Sequence, residues 1–219
     1  MAYDTVLFDL DGTLLNTLED LARSCNHVCE LHGWPTFPID AYRYKVGNGM
    51  AKLVERIVPA EFAGDQAVFD RAYAEFIETY AAHKEDHTAP YPGIAELLDE
   101  LAAAGVAAGV LTNKGHASAV PLVDHYFGQE RFALVQGKID AFPPKPAAPV
   151  TLHALELMGA DAASTVFVGD SNVDVETGHN AGLPVIGVTW GFRGREELEA
   201  AGADAIVDAP SELARAILG

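Results

Sequence analysis

From residue 90 onward the sequence repeats one alternation: apolar residues at helical spacing, then a short, wholly apolar run. Helical spacing is read over 94–104, 117–126, 146–158, 173–181, 196–201 and 211–218. Between these stand apolar runs at 106–112, 132–135, 165–168, 185–188 and 205–207. Runs this short, with no polar alternation, read as strands buried on both faces. Helices between successive strands supply the covering layers, so the pattern implies a parallel sheet. Pro146 sits at an allowed first-turn position of its helix, and Ser211 reads as the N-cap of the last one.

One more apolar run, 6–10, ends in Asp-Gly and reads as a first strand feeding a loop. The segment after it differs in character. Residues 16–84 carry helical spacing at 18–31, 50–58 and 66–82, interrupted by Pro35, Pro38 and Pro59, and show no convincing strand. Pro90, Pro92 and Gly93 punctuate the boundary that follows. The expected fold is α/β: a doubly wound parallel sheet, a Rossmann-like core from 1–15 and 85–219, with a small α-helical cap inserted at 16–84. A chain of 219 residues fits one domain with a smaller companion, at about 150 residues per domain.

Charge narrows the partners. Fourteen basic residues stand against 32 acidic ones, a net charge of −18. Such a surface repels nucleic-acid backbones and anionic membranes, although local cations can still bind a small anion. Cys25 and Cys29 lie four apart on one helical face and read as an apolar stripe rather than a disulfide framework or metal pair. His27 and His32 have no zinc-finger spacing and read as solvated helix residues. The acidic residues around 96–100 and 196–199 read as exposed helix faces. The start, MAYDTVLFDLDGTLL, lacks the basic region of a secretory signal, and no run reaches the ~20 apolar residues of a membrane span. The expected location is the cytoplasm, as a monomer or homodimer.

In doubly wound sheets, ligands bind beyond the carboxyl ends of the strands. The first strand ends Asp9-Leu10-Asp11-Gly12-Thr13. Side chains two apart on an extended chain point the same way, so Asp9 and Asp11 repel unless a cation or a shared proton intervenes. Either arrangement suits a nucleophile paired with a proton carrier, while an ordinary Asx turn with a glycine at positive φ is the plain alternative. The second strand ends Thr112-Asn113-Lys114-Gly115, a hydroxyl and an amide able to cradle a phosphate, or simply a polar turn.

Lys145 is framed by Pro143-Pro144 and Pro146, which present its ammonium from a stiff base; Lys138 is its unframed rival. A lysine at a helix start opposes the helix dipole unless an anion is bound. The strand at 165–168 runs into Gly169-Asp170-Ser171-Asn172-Val173-Asp174. Its two acids suit a hard cation such as Mg²⁺, with a helix N-cap at Asp170 or Asn172 as the alternative. Four strand ends in order thus offer paired carboxylates, a hydroxyl, a lysine and a further carboxylate, the parts that phosphoryl transfer requires.

This set, Asp9 to Thr13 as DxDGT, then Thr112, Lys145 and Gly169 to Asp174 as GDSxxD, resembles the haloacid dehalogenase superfamily of phosphohydrolases. The resemblance implies Asp9 as the nucleophile forming an aspartyl-phosphate and Asp11 as the group that protonates the leaving oxygen and then activates water. It implies Thr112 and Lys145 as the phosphoryl holders. Mg²⁺ would be held by Asp9, the backbone carbonyl of Asp11 and Asp170, with Asp174 close behind. Gly12 and Asn113 would line the phosphate.

The insertion resembles the small helical cap of the phosphoglycolate phosphatase and β-phosphoglucomutase group. Gly47 and Asn48 stand in the loop that sets substrate choice there, and Thr189-Trp190-Gly191-Phe192 adds to the likeness. Asn16-Thr17 replaces the usual Asp-Ser at the cap hinge, and Ala148 stands where many relatives have proline. The implied activity is Mg²⁺-dependent hydrolysis of a small phosphorylated metabolite, phosphoglycolate first. The alternatives are a phosphosugar mutase, a phosphonate hydrolase using Lys45 or Lys52, and a receiver-like phosphate-sensing module.

Overall fold

The computed structural model describes residues 2–219. It divides into two compact units, one of Met1–Leu15 with Pro90–Gly219 and one of Asn16–Ala89. The division puts residues 85–89 with the helical unit, where the sequence pattern put them with the sheet. The reason is Asp20. Its buried carboxylate accepts the backbone N–H groups of His87 and Thr88 and the Thr88 hydroxyl, at 2.8–3.1 Å.

The strands are β1 (Thr5–Phe8), β2 (Leu15–Asn16), β3 (Ala89–Pro90), β4 (Ala107–Gly115), β5 (Leu134–Lys138), β6 (Thr165–Gly169), β7 (Val185–Val188) and β8 (Ala205–Val207). The helices are α1 (Leu18–Leu31), α2 (Met50–Glu55), α3 (Gln66–His83), α4 (Ile94–Ala103), α5 (His116–Phe127), α6 (Ala148–Met158), α7 (Asn172–Asn180), α8 (Arg195–Ala201) and α9 (Pro210–Leu218). Six strands form one sheet in the order β5-β4-β1-β6-β7-β8, and its neighbours run parallel. β2 and β3 pair as a two-stranded ribbon.

Alternation along β1 assigns its side chains to two cores. Val6 and Phe8 pack on one face with Ile94, Leu97 and Leu101 of α4, Leu122 of α5 and Leu213 of α9. Leu7 packs on the other with Val150 and Leu155 of α6, Val175 of α7 and Leu198 of α8. Both faces are covered, which is why the strand sequences are continuously apolar.

Order in the sheet follows from connectivity. The chain builds outward from β1 through β4 to β5, then returns past β1 to add β6, β7 and β8. β1 is thus flanked by β4 and β6, and the crevice beyond their carboxyl ends is the fold's natural binding position.

Several element ends depart from the sequence expectation. β4 continues through Gly115, taking Thr112, Asn113 and Lys114 into the strand rather than into a turn. The strand expected at 132–135 begins at Leu134, because a short 3-10 turn, Gln129–Arg131, precedes it. α2 stops at Glu55, short of 58, and α6 starts at Ala148, with Pro149 rather than Pro146 in its first turn. Ser211 is not a cap: Ala209 holds that position and Pro210 opens α9.

In the helical unit, the apolar stripe of α1 includes Cys25 and Cys29, both buried free thiols. His32 is not solvated as expected; it stacks on Trp34 and meets Glu75 at 2.6 Å. Asp65 caps α3, accepting from the N–H groups of Ala67 and Val68.

Leu7 is 0% exposed on the central strand, whereas Leu31 is 59% exposed. Leu7→Ala should therefore cost about 2–5 kcal/mol and Leu31→Ala under about 0.5 kcal/mol, measured by urea unfolding. Equal losses would contradict the assignment of β1 to the centre of both cores.

Candidate active site

β1 delivers the first acid. The backbone N–H of Asp9 donates to the Val168 carbonyl at 2.9 Å, extending the β1–β6 ladder by one step. The chain then turns tightly: the N–H groups of Leu14 and Leu15 both donate to Leu10 O at 3.0 Å. Gly12 has φ +94°, and a Cβ there would lie 2.6 Å from Asp170 Oδ2. Glycine is required both for the backbone conformation and for room beside Asp170.

β4 contributes Thr112, Asn113 and Lys114, all buried. The Thr112 hydroxyl accepts the Lys114 N–H at 3.3 Å. Asn113 donates its side-chain amide to the Lys145 carbonyl at 3.0 Å, so it supports the lysine loop. Lys114, to which the sequence pattern assigned no role, places Nζ 2.9 and 3.1 Å from the two oxygens of Asp11.

Lys145 is the hub. Its Nζ lies 2.8 Å from Asp9 Oδ1 and 2.8 Å from Asp174 Oδ1, and 5.1 Å from the Phe167 ring centroid. Lys138 ends β5 exposed.

β6 and α7 supply the remaining acids. The N-cap of α7 is Ser171, not Asp170 or Asn172. Asp174 Oδ2 accepts from the Ser171 N–H at 3.1 Å and its hydroxyl at 2.7 Å, closing a capping box. Asp170 Oδ2 accepts the Phe192 N–H at 2.6 Å, and the Thr13 hydroxyl reaches Oδ1 at 3.5 Å. A Cβ on Gly191 would lie 2.3 Å from Asp170 Cβ, so Gly12 and Gly191 together leave the slot this carboxylate fills. Trp190 secures that loop by donating Nε1–H to Thr13 O at 3.0 Å.

Asp9, Asp170 and Asp174 each offer an oxygen within 4.8 Å of the others. These oxygens form a hard, all-carboxylate donor set of the kind that suits Mg²⁺. Electrostatics point the same way. Burial, with Asp174 and Asp11 nearby and Lys145 opposing, raises the Asp9 pKa to about 7. Burial and the neighbouring Asp174 and Asp9 push Asp170 well above the usual carboxylate range. Burial alone would lower Lys145, but Asp174 and Asp9 carry it upward. The cluster holds more negative charge than its lysine balances, and a divalent cation would relieve it.

Asp9, Asp170, Asp174 and Lys145 therefore meet at one sheet edge, with Asp11 and Lys114 paired in the same unit. Gly47 and Asn48 belong to the helical unit. There Arg56 bonds Asn48 Oδ1 and the Lys45 carbonyl at 2.6 Å, and Gly47 has φ +112°. The sequence reading missed Lys114 and Ser171. No local signal marked Lys114, which follows the polar pair Thr112-Asn113, whereas Ser three residues before Asp was the available signal for Ser171.

A family model for haloacid dehalogenase-like hydrolases matches residues 6–188. The phosphoglycolate phosphatase of Chromobacterium violaceum is 36% identical over 212 residues, covering 95% of this chain and 93% of that one. That of Agrobacterium fabrum is 38% identical over 189 residues, 85% and 80% of the two chains. Among solved structures, CbbY from Rhodobacter sphaeroides bound to xylulose-(1,5)-bisphosphate superposes with TM-score 0.78 at 26% identity, covering 96% of each chain. The chain belongs to the haloacid dehalogenase-like hydrolases and is a phosphatase of that family. Among its described residues, no helix is long and apolar enough to cross a membrane.

The pH dependence of stability follows from Asp9. Between its ordinary value of 3.8 and about 7, the folded, metal-free protein holds a proton that the unfolded chain has released. The folded state binds more protons in that window, so stability falls as pH rises through it. A bound divalent ion needs Asp9 ionised and offsets this loss. Thermal melts should show a larger Mg²⁺-induced rise at about pH 8 than at about pH 6, and Asp170→Asn should remove most of it. Equal rises at both pH values would contradict the assignment.

Proposed function

We propose that the protein hydrolyses a small phosphate monoester with Mg²⁺, through an aspartyl-phosphate on Asp9, and that phosphoglycolate is its first substrate. The observation that carries this reading is the Lys145 ammonium shared between Asp9 and Asp174 at the carboxyl edge of the sheet. The phosphoglycolate phosphatase relatives support the substrate.

Asp9 attacks the phosphorus in line, and the bond to the leaving oxygen breaks. Asp11 stands outside the three-acid cluster, with its side chain on Lys114; turned from that lysine to the leaving oxygen, it is the group that gives this oxygen its proton. Asp11 then takes a proton from water, which attacks the phosphorus, frees inorganic phosphate and restores Asp9. Lys145 and Thr112 hold the phosphoryl oxygens. Gly12 lines the phosphate, and Asn113 acts by bracing the Lys145 carbonyl.

Asp9, Asp170 and the Asp11 carbonyl would hold Mg²⁺, with Asp174 fixing Lys145 behind them. When bound, the ion neutralises charge on the transferring phosphoryl oxygens. Gly47 and Asn48 are kept as candidates for substrate binding. The buried free thiols Cys25 and Cys29 fit a reducing compartment, which supports a cytoplasmic location.

Asp9→Asn should keep the native circular dichroism spectrum and lose at least about a thousandfold in phosphate release from phosphoglycolate with Mg²⁺. Turnover near the wild-type rate would remove Asp9 as the attacking group. A mutase would instead return the phosphoryl group to a sugar phosphate and release little phosphate.

A further inference from the structure

The site holds two buried ammonium groups, and phosphoryl chemistry uses one. Lys145 lies between Asp9 and Asp174, where the transferring phosphoryl group is handled. Lys114 has a side chain only 1% exposed and reaches into the same edge from β4, with Nζ 2.9 Å from Asp11 Oδ1 and 3.1 Å from Oδ2. Burying a lysine is costly unless an anion compensates, and lysine binds anions as a compact point charge. Asp11 supplies that anion here, yet it is the less buried partner, its side chain 13% exposed.

We infer that Lys114 recognises a second anionic group on the substrate, a carboxylate carried close to the leaving oxygen, and so selects phosphorylated hydroxy acids over neutral phosphate esters. This rests on the proposed role of Asp11 at the leaving oxygen. Whatever Asp11 protonates lies one hydrogen bond from its carboxylate, and Lys114 lies one hydrogen bond beyond. In phosphoglycolate the leaving oxygen bears a CH₂ and then the carboxylate, which spans that interval. Asp11 turns to the leaving oxygen as the substrate carboxylate takes its place on Lys114. A neutral alcohol leaving group leaves the Lys114 ammonium with no incoming anion. Selectivity for the acid is thus built into the sheet unit itself.

The test compares phosphoglycolate with 2-hydroxyethyl phosphate, which differs in lacking the carboxylate. Lys114→Met should lower kcat/KM for both, but about 10- to 100-fold more for phosphoglycolate, the worth of one charge-assisted hydrogen bond. Lys114→Arg, which keeps the charge, should recover part of that difference. Equal losses on both substrates would overturn the inference, because they are what a residue that only positions Asp11 would give.

A second arm needs no turnover. By calorimetry in Mg²⁺, the wild type should bind 3-phosphonopropionate at least about tenfold tighter than propylphosphonate, and Lys114→Met should lose most of that preference. Equal affinities would overturn the inference and leave the phosphatase reading standing. Hydrolysis of neither ester would count against the phosphatase reading, and the phosphonate preference of wild type against Lys114→Met would still decide the role of Lys114.

Discussion

One ammonium shared by two buried carboxylates organises this molecule. Lys145 sits 2.8 Å from both Asp9 and Asp174, with Asp170 completing a cluster of acids. Desolvated carboxylates this close cannot all ionise at ordinary cost. The protein answers with one internal cation and leaves room in the charge balance for a divalent one. That imbalance is the physical basis for proposing a hard-metal and phosphoryl site here rather than a structural ion-pair network.

The surrounding structure holds the cluster by short, local devices. Asp9 is an extra rung of the β1–β6 ladder. Asp174 serves twice, as the N3 member of the α7 capping box and as a partner of Lys145. Asp170 occupies a slot that exists because Gly12 and Gly191 have no Cβ. Asn113 bonds the lysine's own carbonyl. Each device fixes backbone and acid together, so the carboxylates gain little from moving apart to relieve their repulsion.

The helical unit uses the same chemistry for a different end. Asp20 is as buried as the acids around Lys145, at 1% exposure, but three donors, the N–H groups of His87 and Thr88 and the Thr88 hydroxyl, satisfy it. A buried carboxylate matched by backbone donors anchors a chain segment. One matched by a lysine and other carboxylates stays poised for a ligand.

Composition and periodicity determined a good deal without coordinates. Apolar runs at 165–168, 185–188 and 205–207 read as parallel strands, because polar alternation was missing and helices stood between them; the first two are buried, and the third forms the sheet edge with Ala205 exposed. The acids were legible from their places after apolar strands and Lys145 from its proline frame, and their order along the chain made them a set.

Tertiary structure alone decided the pairings. That Lys114 would face Asp11 across 103 residues, that β4 would continue through Gly115, and that Ser171 rather than its neighbours would cap α7 depend on which strands lie side by side. Local sequence sets the period of burial. The partner of a buried charge is set by sheet order and register, which no local window contains.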